Sequence, residues 1–344
     1  MVSHAVVNVL DAVPDPGDAP PVRWGILGAG KIAGSFADEV RAYTQGHVAA
    51  VGSRDEHRAR DFAQRHAPSA TVHGSYEALV ADPDVDVVYV ATPHSHHREH
   101  GLLAVAAGKP VLMEKAFTRN EAEAREVLDA ARAAGVFVME AMLTRHLPHV
   151  AAIRALVAQG EIGEVRSVTA SYGSNAAYDP SHRLFAPELA GGALLDIGIY
   201  PLAFATDLLG MPDDVTAVGL LAPTGVDAQS TVVLRYGDRA TATLASSVLA
   251  QSATSLVIAG TGGRIEVVDR FMVPTAFSVV WADGARRDYD GYAPGAKQYE
   301  AAEVARCLAA GLTESPRMTW QDTLDLMRVM DRARAQLGVV YPGE

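Results

Sequence analysis

Lys115 closes the apolar run Val111-Leu112-Met113-Glu114. So apolar a run predicts a buried strand, with the lysine emerging at its carboxyl end. Ligands of open parallel sheets bind just outside such ends; if the sheet carries a nicotinamide nucleotide, a lysine there could handle the proton that accompanies hydride transfer. The plainer reading is a strand-exit lysine paired at the surface. A second group is Gly28-Ala29-Gly30-Lys31-Ile32-Ala33, between an apolar strand and a helix. Gly28 permits a tight turn, Gly30 lets backbone approach a pyrophosphate, and the helix amides at Lys31 and Ile32 face the phosphates. The third is Gly191-Gly192-Ala193-Leu194-Leu195-Asp196-Ile197-Gly198-Ile199-Tyr200. In a helix, Asp196 and Tyr200 stand one turn apart on one face, either as reactive groups or as a core pair satisfying each other's hydrogen bonds.

Two loops would complete a dinucleotide site. The second strand runs into Gly52-Ser53-Arg54-Asp55. An acid there binds the ribose 2′-hydroxyl of NAD, and an arginine accommodates the 2′-phosphate of NADP. Ser53 stands where the acid is expected and Arg54 follows, which favours NADP, while Asp55 keeps NAD open. The fourth strand leads into Thr92-Pro93-His94-Ser95-His96-His97. These histidines lack an HExxH-like helical pair, and Glu99 is the one nearby carboxylate. A polar rim near a nicotinamide is the simpler expectation, with no metal.

The elements that must position these groups alternate. Strands are predicted over 22–28, 47–52, 71–73, 85–91, 111–115 and 136–140, with helices between them, which implies a doubly wound parallel sheet. After residue 144 the grammar changes. A helix over 149–158 precedes strands at 165–172, 215–221, 229–235, 240–247, 255–259 and 263–267, and helices over 299–310 and 321–337 close the chain. Alternation such as Ala240-Thr241-Ala242-Thr243-Leu244 suits a half-buried antiparallel sheet. The expected fold is α/β: residues 1–21 as a flexible tail, 22–144 as a Rossmann nucleotide-binding domain, and 145–344 as an α+β domain with a large, mainly antiparallel, open-faced sheet. The closing helices could pack back on the first domain, and the active site is expected at the junction.

The 344 residues carry 29 Lys+Arg against 41 Asp+Glu, a formal charge of -12. That balance disfavours nucleic acid and anionic membrane as partners. No apolar run of ~18 residues suggests a membrane span, and the amino terminus lacks the basic start of a signal peptide. The one cysteine, Cys307, reads as a small core residue and fits a cytoplasmic location.

Together the Gly28–Ala33 fingerprint, Glu114-Lys115, Met139-Glu140-Ala141-Met142 with Thr144-Arg145, Gly191 to Tyr200, and Glu314-Ser315-Pro316 resemble the Gfo/Idh/MocA oxidoreductases. Within that family the chain is most similar to the dimeric dihydrodiol and NADP-dependent D-xylose dehydrogenase branch. The resemblance implies that Lys115 is the catalytic lysine and that Asp196-x-x-x-Tyr200 supplies its partners. It also implies a cofactor set of Gly28, Gly30, Lys31, Ile32, Ser53, Arg54, Thr92, Pro93, His94, His97, Glu114 and Arg145. Tyr172, His182 and Arg183 are expected to line a cleft for a sugar, polyol or dihydrodiol, and a homodimer through the second sheet is implied. Ala116 replaces the family's proline after the lysine, and Leu143 stands where this branch usually has tryptophan. A nucleotide-dependent lyase or glycosidase using transient oxidation, and a non-catalytic nucleotide-binding sensor, are the competing classes.

Overall fold

The computed structural model describes residues 6–344. By contact the chain forms two units: Pro14–Leu143 with Ala296–Met327, and the residues up to Val13 with Thr144–Gly295 and Arg328–Glu344.

After a short first strand, β1 (Val7–Asn8), the first unit runs β2 (Arg23–Leu27), α1 (Lys31–Tyr43), β3 (His47–Gly52), α2 (Glu56–His66), β4 (Thr71–His73), α3 (Tyr76–Val80), β5 (Val87–Val90), α4 (His97–Ala106), β6 (Val111–Glu114), α5 (Glu121–Ala134) and β7 (Val138–Ala141). Its six strands are all parallel, in the order β4-β3-β2-β5-β6-β7. Every residue of β5, β6 and β7 is buried, as a sheet covered on both faces requires. Helix starts follow side-chain caps: Asp55, Ser75 and Asn120 each accept amide protons from the first turn.

The second unit contains α6 (Pro148–Ala158), β8 (Val165–Gly173), α7 (Ile199–Leu209), β9 (Asp214–Leu221), β10 (Asp227–Tyr236), β11 (Ala240–Ser247), β12 (Leu256–Gly260), β13 (Gly263–Val267), β14 (Phe277–Trp281) and β15 (Arg286–Asp290). Two helices follow, α8 (Lys297–Ala309), which belongs with the first unit, and α9 (Trp320–Leu337), whose last turns belong with the second. The nine strands order as β1-β15-β14-β13-β12-β8-β11-β10-β9, antiparallel except at β8–β11 and β1–β15. Along β11, buried Ala240, Ala242 and Leu244 alternate with exposed Thr241 and Thr243, so one face carries the core and the other a row of hydroxyls.

Three expectations change. Residues 6–21 are not a loose lead-in. β1 pairs with β15, Val9, Val13 and Ala19 are buried, and Arg306 and Gln45 hold the carbonyls of Asp15 and Gly17. The first five residues of that expected tail lie outside the described ones. Second, β14 and β15 had no counterpart in the sequence reading, and the helix it entertained at Asp196 and Tyr200 is a π-helical turn leading into α7. β15 (Arg-Arg-Asp-Tyr-Asp) is too charged to show an apolar period. Third, Pro187–Leu209 is long and apolar enough by composition to cross a membrane, at mean hydropathy 1.4, yet 83% of that window is buried inside the fold. It is a core segment carrying Asp196 and Tyr200. Cys307 is buried on α8 beside Glu303, and burial together with that carboxylate pushes its thiol up to about 12.

His149 on α6 lies in the core, its Nε2 against the Phe271 carbonyl at 2.9 Å and its Nδ1 buried without a hydrogen-bond partner. Burial lowers its pKa to about 4. The fold therefore holds a neutral imidazole that the unfolded chain protonates near 6.5. Stability from this group is complete above that value and is lost as pH falls through 4, by roughly 3 kcal/mol. Urea titrations between pH 7 and 4 should show a shallower acid loss in His149→Gln than in the natural chain.

Candidate active site

The glycine turn closes at the carboxyl end of β2. Gly28 has φ 108°, and a Cβ there would stand 2.9 Å from the Ala91 carbonyl oxygen, so only glycine fits. Its N–H donates to the Gly52 carbonyl, tying the turn to the end of β3. Gly30 caps α1, and a Cβ built on it would meet nothing within 4 Å. Open ground above a glycine, with Lys31 and Ile32 exposed at the first helical positions, fits a dinucleotide pyrophosphate on the helix amides.

At the end of β3, Ser53 is buried and its hydroxyl accepts the Asp55 amide. The Asp55 carboxylate caps α2 through the His57 and Arg58 amides. The acid that kept NAD open is thus committed to a helix start, and Arg54 is left exposed. Its charge reaches the loop after β5. There, burial and then Arg54 hold His96 below the usual histidine range, while burial followed by His96 and His97 takes His100 to about 4. The His96 and His100 rings stack at 5.6 Å, and His100 Nδ1 meets the Thr92 hydroxyl at 2.9 Å. Pro93 is the exposed corner of this loop.

Lys115 is half-buried at the end of β6, and its peptide bond to Ala116 is cis. The backbone around it is held from three directions. His94 Nε2 lies 3.2 Å from the Lys115 carbonyl, and the two ring nitrogens of His97 lie 2.8 Å from the carbonyls of Ala116 and Thr92, the neutral ring donating to one of them. Glu114 accepts the Tyr89 hydroxyl and, at 3.2 Å, the Lys115 amide. Glu140 at the end of β7 accepts the Phe117 amide at 3.0 Å and the Thr323 hydroxyl at 3.1 Å. Glu300 on α8 adds a buried acid, raised well above the usual carboxylate range by burial and then by Glu114. Among the described residues no group of three or more His, Cys, Asp or Glu side chains is placed to hold a metal.

The second unit gathers its own group. Residues Leu194–Gly198 form a π-helical turn that runs into α7, so Asp196 and Tyr200 straddle a change of helical pitch rather than a regular α turn. Arg183 engages Asp196 with both nitrogens, at 2.9 and 3.2 Å, and the Tyr172 and Tyr200 rings lie 6.0 Å apart. Asp196 and Tyr200 are buried, while the Arg183 side chain is 54% exposed. The turn packs against β11 because Gly198 has no side chain: a Cβ there would stand 2.8 Å from the Ser246 hydroxyl.

Several expected residues play supporting parts instead. His97 is completely buried with both ring nitrogens on carbonyls, and Glu114 is occupied by Tyr89. Both are engaged by the protein's own groups at the strand ends. Arg145 lies in the second unit, its guanidinium 2.9 Å from the buried Asp207 carboxylate, because a buried cation needs its counter-charge. His182 is exposed, and its Nδ1 accepts the Leu184 amide within its own turn. The sequence reading missed Glu140 as a clamp, although it had marked the motif containing it. A carboxylate inside an otherwise apolar strand was the available signal.

Comparison with known proteins decides the family. A profile described as "Oxidoreductase family, NAD-binding Rossmann fold" matches residues 22–142, and one for the "GFO/IDH/MocA C-terminal domain" matches 150–266. A trans-1,2-dihydrobenzene-1,2-diol dehydrogenase of Xenopus tropicalis is 38% identical over 93% of this chain and 99% of its own length. The chain belongs to the Gfo/Idh/MocA oxidoreductase family. Within that family, a D-xylose 1-dehydrogenase (NADP(+)) of Hypocrea jecorina is 36% identical over 95% of this chain and 94% of its own. Two solved members share the fold. An aldose-aldose oxidoreductase of Caulobacter crescentus, complexed with glycerol, has TM-score 0.82 and 25% identity, covering 93% of this chain and 98% of that one. A 3-ketoreductase of Actinomadura kijaniata, complexed with NADP and TDP-benzene, has TM-score 0.79 and 28% identity, covering 92% and 98%. Variants of the latter with a lysine changed to alanine and a tyrosine to phenylalanine are also solved. This chain is accordingly an NAD(P)-dependent dehydrogenase of that family.

Glu140 offers a direct check on the support around Lys115. Glu140→Ala strips acceptors from a buried amide and a buried hydroxyl, at about 1–3 kcal/mol for each group left unpaired. Denaturant titration should show that loss, and turnover should fall about tenfold as the loop after Lys115 loosens.

Proposed function

We propose that the protein is an NADP-dependent dehydrogenase that oxidises a hydroxyl-bearing carbon of a sugar, polyol or dihydrodiol, reversibly. The observation that carries this reading is the placement of Lys115 and the Gly28 turn at the same carboxyl edge of one parallel sheet. A cation at that edge supports a role beside the end of a bound dinucleotide. The substrate class rests on the relatives, whose names specify a dihydrobenzene diol and D-xylose.

The nicotinamide, when bound, accepts or supplies the hydride. Lys115 would hold the substrate oxygen and stabilise negative charge developing on it. Tyr200 would pass the proton, and Asp196, already neutralised by Arg183, would orient Tyr200 rather than act as a base. A phenol working near neutral pH needs its pKa lowered by about three units, roughly 4 kcal/mol, within reach of a nearby cation. The spacing supports the pairing. The lysine and tyrosine replaced in the 3-ketoreductase variants are separated by one residue fewer than Lys115 and Tyr200.

NADP is preferred over NAD on the strength of Arg54, exposed beside Ser53 while Asp55 is bound up as a cap. The open sheet face, with Val218, Leu220, Leu221 and Val233 exposed near its β9 edge, supports a homodimer through this surface. The acidic charge fits a small-molecule enzyme rather than a partner of nucleic acid or membrane, and the single buried cysteine fits the cytoplasm.

A panel of aldoses, cyclic polyols and dihydrodiols, read by reduction of NADP and NAD in parallel, tests the reading. Lys115→Ala and Tyr200→Phe should each lower turnover at least a hundredfold while NADP binding survives, and near-normal turnover in both would sink the assignment. Arg54→Ala should raise KM for NADP about tenfold or more and leave KM for NAD nearly unchanged. Equal effects on the two cofactors would remove Arg54 from the 2′-phosphate.

A further inference from the structure

Beneath the Gly191-Gly192 turn lies a carboxylate that the proposed mechanism does not use. Asp227, the first residue of β10, is completely buried. Its Oδ2 accepts the Leu194 amide at 2.6 Å, at the first residue of the π-helical turn. Its Oδ1 is buried with no hydrogen-bond partner. Gly192, at φ 121°, leaves room for it: a Cβ there would stand 2.3 Å from Asp227 Oδ1. The backbone leading into the turn is therefore shaped around this side chain.

The charged and titratable groups around Asp227 come from three elements. Arg334 on α9 favours its ionised form, and Arg334 is itself paired with Glu344 and Asp331. Tyr341 in the closing segment donates to the Gly191 carbonyl at 2.7 Å, and burial followed by the Asp227 charge pushes that phenol well above its usual range. On the turn itself, Asp196 is held by Arg183. Against the Leu194 and Ala193 amides and Arg334, burial is the largest influence and raises the Asp227 carboxyl to about 6.

We propose that Asp227 is a positioning residue for the reaction: through the Leu194 amide, its carboxylate fixes the register of the π-helical turn that presents Asp196 and Tyr200. The inference rests on the catalytic reading of Tyr200 above. A charged acceptor binds an amide about twice as strongly as a neutral one, and negative charge suits a helix start. Buried charge disfavours the fold at neutral pH, since the folded state holds the proton more tightly than the unfolded chain. A group kept at such a cost, next to functional residues, fits a device retained for activity rather than stability.

Asp227→Asn separates these roles, because it keeps shape and an acceptor while removing the charge. Its kcat at pH 8 should be about tenfold lower, with the NADP dissociation constant unchanged and the melting temperature raised rather than lowered. The natural enzyme should lose kcat as pH falls through about 6, and the variant should lack that limb. A flat natural profile from pH 8 to 5, the same limb persisting in the variant, or wild-type kcat in the variant at pH 8 would each overturn the proposal. Tyr200→Phe belongs in the same series. If it retains normal turnover, the catalytic reading fails. If it is inactive while Asp227→Asn is fully active, the positioning role alone fails.

Discussion

Parallel pairing of six strands is the constraint on which the nucleotide unit depends. Because all six run one way, whatever follows each strand arrives at one edge. Gly28, Ser53, Thr92 and Lys115 reach it from β2, β3, β5 and β6. A one-way sheet also needs both faces covered, and the helices doing this place their amino termini at the same edge. Glycine is required there only at Gly28, where backbone meets backbone, and Gly30 serves by leaving space.

Around that edge the fold spends its buried polarity on backbone. His97 and Glu140 hold carbonyl and amide groups of the segment after Lys115, while Glu114 takes the Tyr89 hydroxyl. Such groups are costly to bury unless satisfied, and the partners of these three fix the backbone on which Lys115 sits. The second unit repeats the pattern with different parts. Arg183 neutralises Asp196, and Asp227 holds the turn that carries it. In both units a reactive group at a chain turn is fixed by side chains distant in sequence.

The sequence was most legible where periodicity and turn chemistry agree. The strand-helix alternation of residues 22–144, the glycine turn and the Thr/Ala alternation of β11 each carry a period that survives in the structure. The charged β15 and the π-helical turn carry none. A regular helical spacing put Asp196 and Tyr200 one α turn apart, but the turn widens at Leu194–Gly198, and no local pattern announces a change of pitch forced by packing against β11. The partners of buried polar residues were least legible. Arg145, His97 and Glu114 entered the cofactor set through the family resemblance, and the partners they have in the fold, Asp207, Ala116 and Tyr89, lie 62, 19 and 25 positions away, beyond any local pattern. Asp227 lay beyond reach for the same reason: its partner, Leu194, is 33 residues earlier.

Cys307 has a practical consequence of another kind. It is the chain's only cysteine, and burial with Glu303 leaves its thiol protonated far above physiological pH. Thiolate is the form that alkylating reagents attack, so burial and the raised thiol pKa both disfavour labelling of Cys307 in the folded chain. A cysteine introduced at an exposed position such as Val268 becomes a distinct chemical handle. Fluorophores, spin labels or cross-linkers can then be installed at chosen points of the open sheet without first removing a native thiol.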